Sequence, residues 1–264
     1  MILSRSLYSK IMNLRYSNNK QAGFTLVELA IVMIIIGLLI GGILKGQELV
    51  ENARVTNTVR IIKEIKAVAV TFEDRYRVLP GDARANRIPG CNGANNCVGG
   101  NENGTVTFAP QASAVAWSTF LNPASNWREA YEFWKQLALL DMFSGVDESA
   151  NPLDANERAW GSTNPRAPVG GGFEFFYDHA TTIGIDGHIL RISERGMTGG
   201  LGNNGGSVAP AQAAKIDRKL DNGRAFSGEV YADYGAVNTP CKNRDVYNES
   251  NTDARCVLFI RLFQ

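Results

Sequence analysis

The sequence predicts an α+β fold in which one long N-terminal helix packs on a small antiparallel sheet. Three observations lead there. Phe24 to Leu44 is an almost unbroken apolar run, an apolar stripe at three- and four-residue spacing extends from Val55 to Leu79, and short alternating segments fill the C-terminal third. The 264 residues are 44% hydrophobic with a formal net charge of +1, enough for one real core plus appendages. No Lys/Arg stripe follows the first twenty residues, so nothing in the charge pattern points to nucleic acid.

Residues 1–23 hold Arg5, Lys10, Arg15 and Lys20 and no acid, which places a basic head before the apolar run, as in an export signal. At about 1.5 Å per residue the run spans roughly 30 Å, a bilayer core, and its basic flank stays inside. A secretory peptide would be shorter and cut at a small-residue site after its apolar stretch; no such site follows Leu44. Gly37 and Gly41 form a G-x-x-x-G pair, with Gly42 beside it, where helices can pack closely or where glycine is merely tolerated.

The chain continues with helix formers, and Val55, Val59, Ile62, Ile65, Ala69, Phe72, Tyr76 and Leu79 mark one buried stripe. Pro80, in "LPGD", is expected to end the helix. Unbroken from Phe24 to Leu79, it would be about 84 Å long, with a transmembrane half at 24–44 and an amphipathic half at 45–79.

At its N-terminus the sequence resembles a known family. Gly23-Phe24-Thr25-Leu26-Val27-Glu28, between a basic leader and an apolar helix, is similar to the class III prepilin signal of type IV pilins and type II secretion pseudopilins. The resemblance is close over residues 1 to about 79 and loose beyond. It implies that a prepilin peptidase cuts after Gly23 and N-methylates Phe24, removing residues 1–23. It also implies an inner-membrane protein with a cytoplasmic N-terminus and a periplasmic head at 80–264. An assembly platform would then draw the helix from the membrane into a filament of pilin-like subunits. Many bulk subunits carry a proline near Lys45 and Gly46; this chain has none before Pro80, which favours a low-abundance subunit.

Glu28 has a physical reading of its own. A carboxylate in the bilayer interior costs about 2.5–3.5 kcal/mol on insertion scales, so it needs a partner or a purpose. A cut after Gly23 creates a Phe24 α-amine, whose ordinary pKa of about 7.7–8.0 leaves it largely cationic at neutral pH. In a filament Glu28 of one subunit would neutralise the amine of the next; the alternative is an acid snorkelling to headgroups. Loss of the leader leaves 23 Lys+Arg against 26 Asp+Glu, about −3, which suits a soluble exported head.

Residues 81–111 are rich in Gly and Asn and read as a surface excursion with little regular structure. A second helix follows, with Asn126 and Glu129 at capping-box spacing and Ala130, Trp134, Leu137 and Ala138 or Met142 on its buried face, running to Gly145. Residues 146–171 return to loop. "GFEFFYD" and "TTIGIDGHILRIS" read as strands, with Asp186-Gly187 a hairpin turn. Pro210 opens a third helix, in which Asp217 and Asp221 are expected to cap and face solvent, and Gly223 stops it. "FSGEVYADY" and "RCVLFIRLF" complete the sheet, and with the resemblance the whole implies a pilin-like roll with loop insertions.

All four cysteines follow the apolar run, on the side where disulfides persist. Of three possible pairings, the local ones, Cys91 with Cys97 and Cys241 with Cys256, are expected; the family commonly closes its C-terminal region this way. Gaps of five and fourteen residues do not match zinc-site spacing. His179 and His188 stand in no nucleophile or metal motif, so no catalytic residue and no cofactor is expected. Some pseudopilins bind calcium in a C-terminal loop. Asp233, Asp245, Asn248, Glu249 or Asp253 could supply oxygens, although no EF-hand pattern orders them. The main reading is a low-abundance structural subunit, a pseudopilin of type II secretion or a minor pilin. The alternatives are a filament-tip module that binds a substrate, a surface or DNA, and a membrane-anchored periplasmic enzyme.

Overall fold

A computed structural model describes residues 25–92, 97–107, 129–150, 160–179, 185–194, 205–233, 239–253 and 255–263. The chain forms two compact units, Met1–Glu48 and Leu49–Gln264. Helix α1, Leu26–Tyr76, contributes to both.

In the first unit the apolar side chains of α1 are exposed; Leu26 is 87% and Leu38 74% accessible. In the second, α1 buries Val55, Thr58, Val59, Ile62, Ile65, Ala69 and Phe72, the predicted stripe as far as Phe72 plus one polar member, while Tyr76 is half-buried. Thr58 is tolerated there because its hydroxyl donates to the Arg54 carbonyl at 2.9 Å. The helix stops at Tyr76, short of the predicted Leu79. Arg77 adopts φ 61°, and its N–H closes the last turn on Glu73 O at 2.7 Å. Pro80 keeps the residue before it out of helical geometry, so the helix ends ahead of Leu79.

The connection after α1 is not the surface excursion expected from its composition. Among its described residues it forms a 3-10 turn, Ala85–Arg87, and buries Ala83, Ile88, Cys91, Cys97 and Val106 in the main core. Gly81, at φ 87°, lies so close to the second helix that a Cβ would strike the carbonyl oxygen of Glu129 and the backbone of Phe133.

Helix α2 spans Glu129–Leu139, ending well before the predicted Gly145 because Asp141 turns the chain at φ 52°. The predicted cap Asn126 lies outside the described residues. Ala130, Trp134, Leu137 and Ala138 are buried as expected, and so are Glu129, Glu132, Lys135 and Gln136, which no apolar stripe would announce.

Strands β1 (Gly172–His179), β2 (Asp186–Ser193), β3 (Phe226–Ser227), β4 (Val230–Ala232) and β7 (Leu258–Phe263) form one antiparallel sheet in the order β1-β2-β7-β4-β3. The turn predicted at Asp186-Gly187 is displaced. Both residues belong to β2, opposite His179 and Asp178, and the β1–β2 connection precedes them. One face of the sheet carries Phe173, Phe175, Leu190, Ile192, Val230, Leu258 and Ile260 into the core shared with α1 and α2. The other face is buried too, around Phe176, Ile189, Val257 and Phe259, with an Arg191–Glu174 ion pair at 2.5 Å. Alternation alone predicts solvent on that side.

Helix α3, Pro210–Leu220, starts with proline in its first turn as predicted. A small hairpin, β5 (Lys242–Asn243) with β6 (Val246–Tyr247), occupies the segment between Cys241 and Cys256.

Candidate functional site

The N-terminal end of α1 is the site toward which the sequence points. Gly23 and Phe24 lie outside the described residues; Thr25 and Glu28 are described. Thr25 is the cap: its hydroxyl oxygen accepts the Glu28 N–H at 3.2 Å, and its carbonyl accepts that of Leu29 at 3.2 Å. Glu28 therefore stands in the first turn, beside the unpaired N–H groups at the positive end of the helix dipole. The sequence reading passed over Thr25, although T-x-x-E is the capping-box signature. Behind Glu28 the helix is long and apolar enough to cross a membrane, and none of its most apolar window is buried. Added Cβ atoms at Gly37, Gly41 and Gly42 would meet nothing within 4 Å, so this face is open to a neighbour. At the far end of the run, Lys45 pairs with Glu48 at 2.7 Å.

Most of the head's candidate residues hold disulfides, hydrogen bonds or ion pairs within the chain. Cys91 is bonded to Cys97 and Cys241 to Cys256, with Cα separations of 5.0 and 5.3 Å. Cys91, Cys97 and Glu132 are the only group of three or more Cys, His or acid side chains, among the described residues, close enough to share an ion, and their thiols are spent in the disulfide. Four of the five proposed calcium ligands have separate side-chain partners. Asp233 is buried and accepts from Val257 N–H at 2.9 Å and the Thr239 hydroxyl at 2.8 Å; burial pushes its carboxyl above the usual range. Asp245 pairs with Arg224 at 3.3 Å, Glu249 with Arg218, and Asn248 accepts from Ser250. Asp253 donates its N–H to Asn251.

One more predicted polar residue differs from expectation. Asp217 does not face solvent; it is fully buried and accepts from the Tyr247 hydroxyl and Gly223 N–H, each at 2.8 Å. Its geometry explains the burial, because one carboxylate holds the end of α3 to the disulfide-closed hairpin. Asp221 is the more exposed partner, accepting the Glu229 N–H at 2.6 Å. Among the histidines, His179 ends β1 and His188 is buried in β2. Lys242 is also buried, its ammonium 4.2 Å from the Phe226 ring centroid, and desolvation lowers its pKa.

The prokaryotic N-terminal methylation motif matches residues 18–44, which bracket Gly23, Phe24, the Thr25 cap and Glu28. The chain carries a prokaryotic N-terminal methylation motif. No curated protein matches the chain. Among solved structures, the major type IV pilin PilA1 from Clostridium difficile is similar at 12% identity and a TM-score of 0.33, covering 81% of this chain and 99% of that one.

Proposed function

We propose that the protein is a structural subunit of a type IV pilus or type II secretion pseudopilus, present in few copies. The observation that carries this reading is the methylation motif at residues 18–44, set against an exposed apolar helix. On this reading prepilin peptidase cuts after Gly23 and methylates the Phe24 amine. The chain waits in the inner membrane with its leader in the cytoplasm and its head in the periplasm, and the assembly platform then passes it to other subunits. Glu28, in the first helical turn, offers the Phe24 amine of a neighbour an ion-pair partner in low dielectric.

The head then acts by packing and binding rather than catalysis, and needs no cofactor. Its buried acids already accept hydrogen bonds from the chain, and neither histidine belongs to a catalytic motif. Sequencing of the mature N-terminus tests the proposal. N-methylated Phe24 is the expected first residue; Met1 retained, or a cut elsewhere, overturns it. Counting copies per filament then checks abundance, with a few supporting a minor subunit and hundreds refuting it.

A further inference from the structure

The connection from α1 to α2 is tied down by side chains that accept hydrogen bonds from its backbone. Gln136 takes the N–H of Gly81 at 2.7 Å, Glu132 that of Val98 at 2.9 Å, and Asp82 those of Asn103 and Gly104 at 3.0 and 2.8 Å. At its last described residues, two groups from different elements take over. Val106 N–H donates to Nε2 of His188 on β2 at 3.3 Å, and Thr107 N–H donates to Glu129 at the start of α2 at 2.9 Å. The Thr107 hydroxyl adds a second bond to Glu129 at 2.8 Å. Val106 O accepts from Tyr177 N–H at 2.7 Å, which lays residues 106 and 107 alongside β1.

His188 is 3% exposed and enclosed by aromatic rings. Phe175 of β1 stacks on it at 5.5 Å, while Tyr177 of β1 and Phe263 of β7 meet it edgewise at 4.8 and 6.4 Å. The charged groups stand behind these neighbours. On the α1 side the Lys66 ammonium is 5.8 Å from the far Phe263 ring, on the β1 side the Tyr177 hydroxyl donates to Asp186, and on the α2 side Glu129 is reached through Thr107. Because Nε2 accepts, the proton of the neutral ring is on Nδ1, which has no partner among the described residues. A second proton on Nε2 would turn the acceptor into a donor facing the Val106 N–H, and would place a cation among aromatic rings away from water.

We propose that His188 is an acid-triggered release for the end of the α1–α2 connection: protonation of Nε2 expels the Val106 N–H and detaches residues 106–107 from β1. Burial supports the mechanism by lowering the His188 pKa from 6.5 to about 4. The attachment is therefore complete above the unfolded pKa of 6.5 and lost as pH falls toward 4. Glu129 responds in the opposite sense. Burial raises its pKa, so acid relieves the penalty of its charge in the attached state, and its protonated carboxyl still has an oxygen to accept from Thr107. The neighbouring anchor thus masks part of the release.

Amide exchange of the full-length chain in detergent, corrected for intrinsic rates and read on a peptide spanning residues 99–107, tests the proposal. His188 alone lowers the attached-to-detached ratio about 20-fold between pH 7 and pH 5, given pKa values of 6.5 and about 4. Glu129→Gln keeps an acceptor without titrating, so it is expected to show the full 20-fold loss. His188→Gln, which also keeps an acceptor, is expected to show no loss. An unchanged ratio in Glu129→Gln, an undiminished loss in His188→Gln, or equal loss across the β7 amides would overturn the proposal. In the unsubstituted chain, loss at residues 106–107 that follows the His188 ring titration by NMR supports it, and loss at a different midpoint refutes it.

Discussion

Tyr247→Phe removes one oxygen from a ring that otherwise packs as before. Tyr247 is 5% exposed, and its hydroxyl donates at 2.8 Å to Asp217, whose other oxygen keeps the Gly223 N–H. No apolar area is lost, so the cost is that of a hydrogen bond withdrawn from a buried carboxylate, about 1.5–3 kcal/mol where the acid is charged. Burial raises the Asp217 pKa, and the Tyr247 hydroxyl opposes that rise. The sign follows: a raised folded pKa contributes stability at low pH that is lost as pH rises through it. The variant's Asp217 rises further, so the loss is largest at pH 7 and narrows below the folded pKa to the roughly 0.5–1.5 kcal/mol of a neutral bond. Denaturant unfolding of the full-length chain in detergent, followed by tryptophan fluorescence, measures both values. An undetectable loss at pH 7, or an equal loss at pH 7 and pH 4, would refute the reasoning.

Phe72→Ala, at a fully buried position of α1, is expected to destabilise the head by about 3–5 kcal/mol in the same assay; a loss below 1 kcal/mol would mean that this half of α1 is not part of its core. Replacing Cys241 and Cys256 together by serine opens a loop with a sequence separation of 15 and is expected to cost about 3 kcal/mol, read from the shift in denaturation midpoint. Glu28→Leu is expected to insert and be cut normally yet assemble poorly beside unsubstituted subunits. Quantifying it in purified filaments checks this, and normal incorporation would reduce Glu28 to a snorkelling acid.

The legible parts of the sequence were those where one physical signal dominates. The stripe from Val55 to Phe72, the proline that opens α3 and the local cysteine pairs each appear in the structure where spacing placed them. Residues whose role depends on distant partners were not legible. Glu129, Glu132 and Gln136 look like the solvent face of an amphipathic helix, but they are buried because the α1–α2 connection brings them N–H groups to accept. Asp217 reads as a helix-end acid until Tyr247, thirty residues later, supplies its hydroxyl. Asp186-Gly187 has turn chemistry, yet β1 extends far enough to pair with both residues. At the candidate site the miss was local: Thr25 caps the helix with a signature visible in four consecutive residues.

The two disulfides also define how the head would bear load. Neither joins α1 to the sheet; one closes a segment within the α1–α2 connection and the other a segment ahead of β7. Among the described residues the grip between helix and strands is therefore non-covalent, with Phe72, Ile65 and Val59 set among residues of the sheet core and the Lys66 ammonium over the Phe263 ring. Under tension along α1 that interface would yield by sliding, while the Cys241–Cys256 bond withholds the slack of residues 242–255, about 50 Å at roughly 3.5 Å per residue. The head is built to shear before it lengthens.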